Sequence, residues 1–356
     1  MGIVDVAARS ASAAQDRLGN QVVCSLPFAN APPLVIEARP DGGLGNLESG
    51  IEWVRSQQEA IEDAVCDVGA VVLRGFGPAS TTDFEAFLAH MPAHSGGYVG
   101  GSTPRQGIDN STRVYEATRS SPEIRIPLHQ EMTYLPNYPG KLAFFCRLPS
   151  ATGGQTLLGD MRRFTASLPD RILSDITARG IRYIRNFRSE DVPHPAAGHP
   201  VLIHLTWQHA FSSKDPDAAE ATARKLGLET RWESDDSLTT FYRSKGLTEH
   251  RKTGERVYSS HLHTQIHHPR WMHKGMWEAY SAVYGAKTRP IAMHAQYGDA
   301  EEFNMDDYYK IHDLLDAVTV APVWRAGDIL LVDNIYTAHG RGSFTGDRDV
   351  QVSLLA

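Results

Sequence analysis

His129-Gln130-Glu131 places an imidazole and a carboxylate two residues apart. In an extended strand alternate residues share a face, so the two side chains can aim at one point. A nitrogen and a hard oxygen so arranged suit a divalent metal such as Fe(II), whose oxygenase sites need two histidines and one carboxylate on one face. Taken alone, the tripeptide fits a surface strand pair or a satisfied core histidine equally well. Arg125 has the same parity as His129 and Glu131, which puts its guanidinium beside them, where it can pair with a substrate carboxylate or serve as a structural salt bridge. A second histidine cluster, His261-Leu-His263 followed by His267-His268 and His273, has no carboxylate at ligand spacing. It reads as a pocket wall or a solvated face, not as a second metal site.

Several elements must position these groups. Ile124, Ile126 and Leu128 alternate with Arg125, Pro127 and His129, as a half-buried strand requires. Lys141–Leu148 is the next strand, and Gly153-Gly154 turns the chain into another that begins Gln155-Thr156-Leu157-Leu158. The C-terminal end is strand-like again over Gly327–Asn334, Ile335–Arg341 and Arg348–Leu355. Near the N-terminus, residues 51–66 have helical spacing, Gly69–Gly75 is a buried strand closed by glycines, and Ser80 caps a helix carrying Phe84, Phe87 and Leu88. Asp215–Leu226, Trp271–Tyr284 and Met305–Val318 are further helices. Residues 94–123 form a long loop whose Gly-rich part, 95–108, is a candidate lid. Tyr134, just after the histidine tripeptide, either lines the pocket or packs. The expected organisation is mostly β with helical insertions. Residues 1–30 are a poorly ordered lead or short helix, and 31–356 form a single domain with a helical insertion at about 160–320.

Composition narrows the class. The chain has 356 residues, 41% hydrophobic and 22% charged, as a soluble globular protein does. A net charge of −7 without a basic patch argues against a nucleic-acid partner. Three widely spaced cysteines, Cys24, Cys66 and Cys146, indicate neither a disulfide framework nor a Cys-rich zinc site, and a reducing cytoplasm is the expected setting. No apolar run is long enough for a membrane span.

The block from His129 to Thr156, together with Gly327–Leu355, resembles the Fe(II)/2-oxoglutarate-dependent dioxygenases of the taurine dioxygenase type. The resemblance covers roughly residues 70–356 and implies a double-stranded β-helix, or jelly-roll, core of the clavaminate synthase-like kind. Position by position it implies His129, Glu131 and His339 as ligands of Fe(II). It also implies Thr156, after the Gly-Gly-Gln turn, and Arg348 as the groups that hold 2-oxoglutarate, with Arg341 as the fallback for Arg348. A guanidinium fork matches a carboxylate where lysine would not. Three open positions on the metal would take the keto acid and O2, leading to hydrogen abstraction from a substrate. Glu131 argues against the related halogenases, which have a small residue there. Ser102–Arg105, Leu128–Pro139 and His339–Gly346 look closest to the syringomycin-type branch that hydroxylates free or carrier-bound amino-acid units. The substrate contacts implied are Arg125, Tyr134 and Arg341, and homo-oligomerisation is left open. Desaturation, a non-oxidative cupin-like metalloprotein and a silent binding protein are the competing readings.

Overall fold

The computed structural model describes residues 4–101, 107–108, 111, 113–117, 120–199 and 201–356. Its main sheet has seven strands in the order Val22–Ser25, Leu34–Ala38, Ala70–Arg74, Ile329–Asp333, Lys141–Leu148, Asp349–Leu355 and Val114–Glu116. All neighbours are antiparallel except Leu34–Ala38 with Ala70–Arg74. Leu142, Phe144 and Cys146 enter the core on one face of this sheet, while Ala143 and Phe145 enter the core on the other. Leu330 and Val332 likewise face away from Ile329 and Leu331. Because both faces are covered, these strands read as continuous apolar runs with no polar alternation. Each large side chain buried this way contributes about 1.5–3 kcal/mol.

Helices Leu47–Ser56, Gln58–Val68 and Thr81–Leu88 cover one face through Trp53, Val54, Ile61, Phe84 and Phe87. The helix expected at 51–66 is thus two helices, broken at Gln57. A capping box of Ser80 and Asp83 opens the third, as the sequence indicates. On the other face lies an antiparallel four-stranded sheet, Thr319–Val320, Thr156–Asp160, Thr337–Arg341 and Ile126–His129. Its Leu128, Leu157, Leu158 and Ala338 share a core with Phe144 and Val352 of the larger sheet. The fold is mostly β with helices, and neither sheet closes on itself.

Two expectations are refined by the structure. Of the two readings of the N-terminal lead the helical one is found, over Val4–Leu18, and Val22–Ser25 joins the main sheet. Ala14 and Leu18, one helical turn apart, are buried, and the Gln15 amide bonds to the carbonyls of Gly19 and Val22 and to the Cys24 N–H. The stretch at about 160–320 is not simply helical. It contains a second four-stranded sheet, Glu229–Trp232, Leu238–Ser244, Ile181–Phe187 and Met293–Tyr297, besides the hairpin Leu247–Glu249/Arg256–Tyr258. Ile181, Tyr183 and Arg185 alternate inward, a period-two signal in a segment read as irregular. The helices expected at 215–226, 271–284 and 305–318 are present as Pro216–Lys225, Lys274–Tyr284 and Met305–Ala317. Among the described residues no helix is long and apolar enough to cross a membrane.

Buried histidines set an acid limit on this fold. His204 lies between the Tyr284 hydroxyl and Asn186 Oδ1, both at 2.9 Å, and burial pushes its pKa down to about 3. Burial does the same to His263. Both are neutral when folded, whereas the unfolded chain takes up their protons below its ordinary pKa of about 6.5. Their stabilisation is therefore complete above pH 6.5 and declines as pH falls toward 3. Chemical denaturation should show a loss on the order of 2 kcal/mol per histidine between pH 6.5 and 5. His204→Gln should remove one histidine's share of that slope.

Candidate functional site

In the smaller sheet His339 pairs across the ladder with His129 on one side and Leu158 on the other. Directly opposed residues of antiparallel neighbours share a face, so two imidazoles 210 positions apart in sequence meet with ring centroids 4.4 Å apart. Glu131 arrives differently from the way strand parity suggests. The strand ends at His129, and a turn containing the positive-φ Met132 delivers the carboxylate. Glu131 Oε2 then lies 3.5 Å from His339 Nε2 and 3.9 Å from His129 Nε2. One ligand atom from each of the three residues falls within 4.8 Å of the others. The Pro127 carbonyl lies 2.9 Å from His129 Nδ1 and accepts its proton, which leaves the Nε2 lone pair to face the carboxylate. Two imidazoles and a carboxylate at this spacing fit one divalent ion.

Glu131 is held by a residue that the sequence reading did not single out. The Asn334 side chain accepts the Glu131 N–H at 2.7 Å and donates to the Glu131 carbonyl at 3.0 Å and to the Pro139 carbonyl at 2.8 Å. Gln130, facing the opposite way and fully buried, donates to the carbonyls of Ile335 and Tyr258 and accepts the Ser260 N–H. Asp333 closes the turn by accepting the N–H groups of Ile335 and Tyr336, and its other oxygen meets His250 Nε2 at 2.9 Å. The turn before the His339 strand thus sets the position of the carboxylate ligand. Asn334→Ala should weaken divalent-metal binding about 10- to 100-fold, the usual scale for groups that orient ligands. Calorimetric titration of metal into the apo-protein would read it.

The three residues line a cavity shared with Thr156, Arg341 and Arg348. Thr156 sits opposite Arg341 in the ladder, and its Oγ accepts the Trp324 indole N–H at 3.2 Å, so its own hydrogen remains to be donated. Arg348 Nε donates to the Gly154 carbonyl at 2.9 Å, while its two terminal nitrogens have no protein acceptor among the described residues. Burial, with the Arg341 guanidinium nearby, pushes its pKa down to about 10. A cation under that pressure, with a free fork, fits an incoming carboxylate. Arg341 is engaged otherwise: it donates to the carbonyls of Ser120, Ser121 and Ile124, tying down the approach to the His129 strand. Gly154 has φ +66°, and a Cβ there would meet Ser150 Oγ at 2.3 Å and Arg348 Cδ at 3.1 Å. Gly154→Ala should cost about 1 kcal/mol in backbone strain and displace Arg348, which chemical denaturation would read as lowered stability.

A family model described as taurine catabolism dioxygenase TauD, TfdA family, matches residues 33–354. The chain belongs to the TauD/TfdA dioxygenase family. It is therefore an enzyme of the class that uses Fe(II), 2-oxoglutarate and O2. The chain is 26% identical over 295 residues to the dapdiamide synthesis protein DdaC of Enterobacter agglomerans, covering 83% of this chain and 84% of that one. It is also 26% identical over 306 residues to a clavaminate synthase-like protein of Arabidopsis thaliana, covering 85% and 86%. Among solved structures it resembles PvcB of Pseudomonas aeruginosa (TM-score 0.51, 13% identity, 94% and 92% covered). A putative alpha-ketoglutarate-dependent taurine dioxygenase of Burkholderia xenovorans is similar too (TM-score 0.50, 16% identity, 94% and 92% covered). These two likenesses show the fold alone.

For this TauD/TfdA member, the remaining sequence candidates fall into different places. Arg125 precedes the strand Ile126–His129 and turns outward to an exposed salt bridge with Asp316 at 2.7 Å, away from the triad. Tyr134 is buried edge-on against His261, with ring centroids 4.8 Å apart. His261 in turn lies 5.0 Å from the His129 ring, so this part of the histidine cluster does border the site. His263 meets the Leu128 carbonyl, His267 stacks on Tyr280 and His268 packs on Trp271. Among the described residues the triad is the one group of metal-type side chains that converges. Ser102–Arg105 and most of the candidate lid's C-terminal half lie outside the described residues.

Proposed function

We propose that this enzyme hydroxylates an unactivated C–H of an amino-acid-like small molecule, with His129, Glu131 and His339 holding Fe(II) and Thr156 and Arg348 holding 2-oxoglutarate. One observation carries this reading: three metal-type ligands converge in the same cavity as a hydroxyl and a free guanidinium fork. Bound there, the metal and keto acid would supply the oxidising power for a C–H that no protein side chain can attack. The chain's own residues would do the rest. The two histidines and Glu131 would occupy one face of the ion and leave the other open. Arg348 would take the far carboxylate of the keto acid in a paired hydrogen bond, and Thr156 would donate its hydroxyl beside it. Phe144, 5.2 Å from His339, would keep water from that side of the ligands.

Two facing sheets that share a core support the double-stranded β-helix reading. The relative named for dapdiamide synthesis supports a biosynthetic setting, with substrate either free or carried on a protein. Anaerobic visible spectroscopy tests the assignment. A charge-transfer band should appear only when Fe(II) and 2-oxoglutarate are both present. Metal bound at the triad without such a band would sink the reading and favour non-oxidative metal chemistry.

A further inference from the structure

Arg185, in the strand Ile181–Phe187, is 4% exposed, and no acidic side chain among the described residues pairs with it. Arg74 meets Asp328 and Arg162 meets Asp160, whereas Arg113 and Arg341 are held by backbone carbonyls. Arg185 likewise donates from its two terminal nitrogens to the carbonyls of Gly100 and Gly101, and among the described residues its Nε has no acceptor. The rings of Tyr134 and Phe187 flank the guanidinium at 4.6 and 4.8 Å. Carbonyl dipoles and aromatic faces soften a buried charge, the latter by about 1–2 kcal/mol each, but they do not neutralise it. Leaving an ion unpaired inside a protein costs several kcal/mol.

The position of this charge gives it meaning. Tyr134 links Arg185 to His261, and His261 lies against His129, through ring contacts of 4.8 and 5.0 Å. Within four residues of His261 in sequence, Ser259 Oγ, Gln265 Oε1 and His261 Nε2 itself are also buried without partners among the described residues. His261 Nε2, on the ring beside His129, is an atom that a polar ligand would satisfy.

We propose that Arg185 anchors a carboxylate of the substrate, and that the substrate is accordingly a free carboxylic acid, not a thioester carried on a protein. A thioester is uncharged and would leave the guanidinium as it stands. This inference rests on the oxygenase reading above, because the metal centre is its reporter, and it adds to that reading the substrate's charge and state.

The test uses the Fe(II)- and 2-oxoglutarate-loaded enzyme under anaerobic conditions, titrated with the common L-amino acids and their α-carboxamides. At least one free acid should shift the visible band, and its carboxamide should need at least about tenfold more, the minimum expected for a lost charged contact. In Arg185→Gln the band should still form and the preference for acid over amide should vanish. Arg185→Lys, which keeps the charge, should retain the preference at lower affinity. Equal binding of acid and amide by the wild type, or discrimination surviving in Arg185→Gln, would overturn the proposal. So would loss of fold in both variants, which would assign Arg185 to holding Gly100 and Gly101. If no amino acid shifts the band, simple mono- and dicarboxylates follow. An Arg185-dependent response to these would uphold the anchor while sinking the amino-acid reading, and no response to any carboxylate would sink the anchor itself.

Discussion

His339→Ala is expected to abolish turnover and to lower divalent-metal affinity by more than about 100-fold, while the protein still folds. The argument starts from geometry. His339 is the one triad member on a central strand, flanked by Thr156–Asp160 and by Ile126–His129. Its ring is 5% exposed and touches both the His129 ring and Phe144. Removing it leaves one imidazole and one carboxylate, too few protein ligands to hold an ion against water. Stability in the absence of metal should fall by on the order of 2 kcal/mol, because the truncation leaves a cavity where the buried ring packs on His129 and Phe144. The opposite response to added metal separates the two roles. The wild-type melting temperature should rise with saturating metal, since binding only the folded state adds RT ln(1 + [L]/Kd). The variant's should not. Equal metal-dependent stabilisation of both proteins would remove His339 from the site.

Which parts were legible beforehand follows from the distance over which each signal acts. The strands of the main sheet show in the sequence because they are short apolar runs between glycines, and burial on both faces makes such runs. The Gly153-Gly154 turn shows because both residues adopt positive φ, where glycine is favoured. His129 and Glu131 show as a tripeptide with metal-type side chains, His339 only through a resemblance; nothing local says that His339 and His129 are cross-strand partners. Asn334 was not legible at all. It ends the expected strand Gly327–Asn334, yet what it holds is Glu131, 203 positions away. A polar residue's partner cannot be read from its neighbours. Arg125 forms the salt bridge that was one of its two readings, but its placement beside the ligands failed for a related reason. Parity argues correctly only inside a strand, and the strand begins one residue after it, with the ladder already irregular between His339 and Arg341. Arg185 was hidden in the stretch read as helical insertion, where a period-two pattern of three inward residues was too brief to stand out.

Arg348→Met should separate function from stability. On the proposed reading the far carboxylate of 2-oxoglutarate would meet Arg348, since among the described residues Arg341 donates to the carbonyls of Ser120, Ser121 and Ile124. Truncating one partner of a buried, hydrogen-bonded charge pair costs about 2–5 kcal/mol, so the 2-oxoglutarate KM should rise by roughly 30- to several-thousand-fold. Metal binding should be unaffected, because Arg348 touches none of the three ligands in the hydrogen bonds it makes. Stability of the ligand-free protein should move the other way. Burial and the neighbouring Arg341 both disfavour the Arg348 charge, so replacing it with an apolar chain of similar length removes an unpaired, repelled cation. The melting temperature without ligand should therefore rise, at the loss of one hydrogen bond to Gly154. Arg348→Lys distinguishes charge from shape. It keeps the cation but offers a single point of attachment, so it should lie between wild type and Met in KM and bring no gain in stability. If Lys matched the wild type, the paired hydrogen bond would not be what holds the keto acid. If Met lowered the ligand-free melting temperature, Arg348 would be a structural tie to Gly154 and not a receptor kept charged for its ligand.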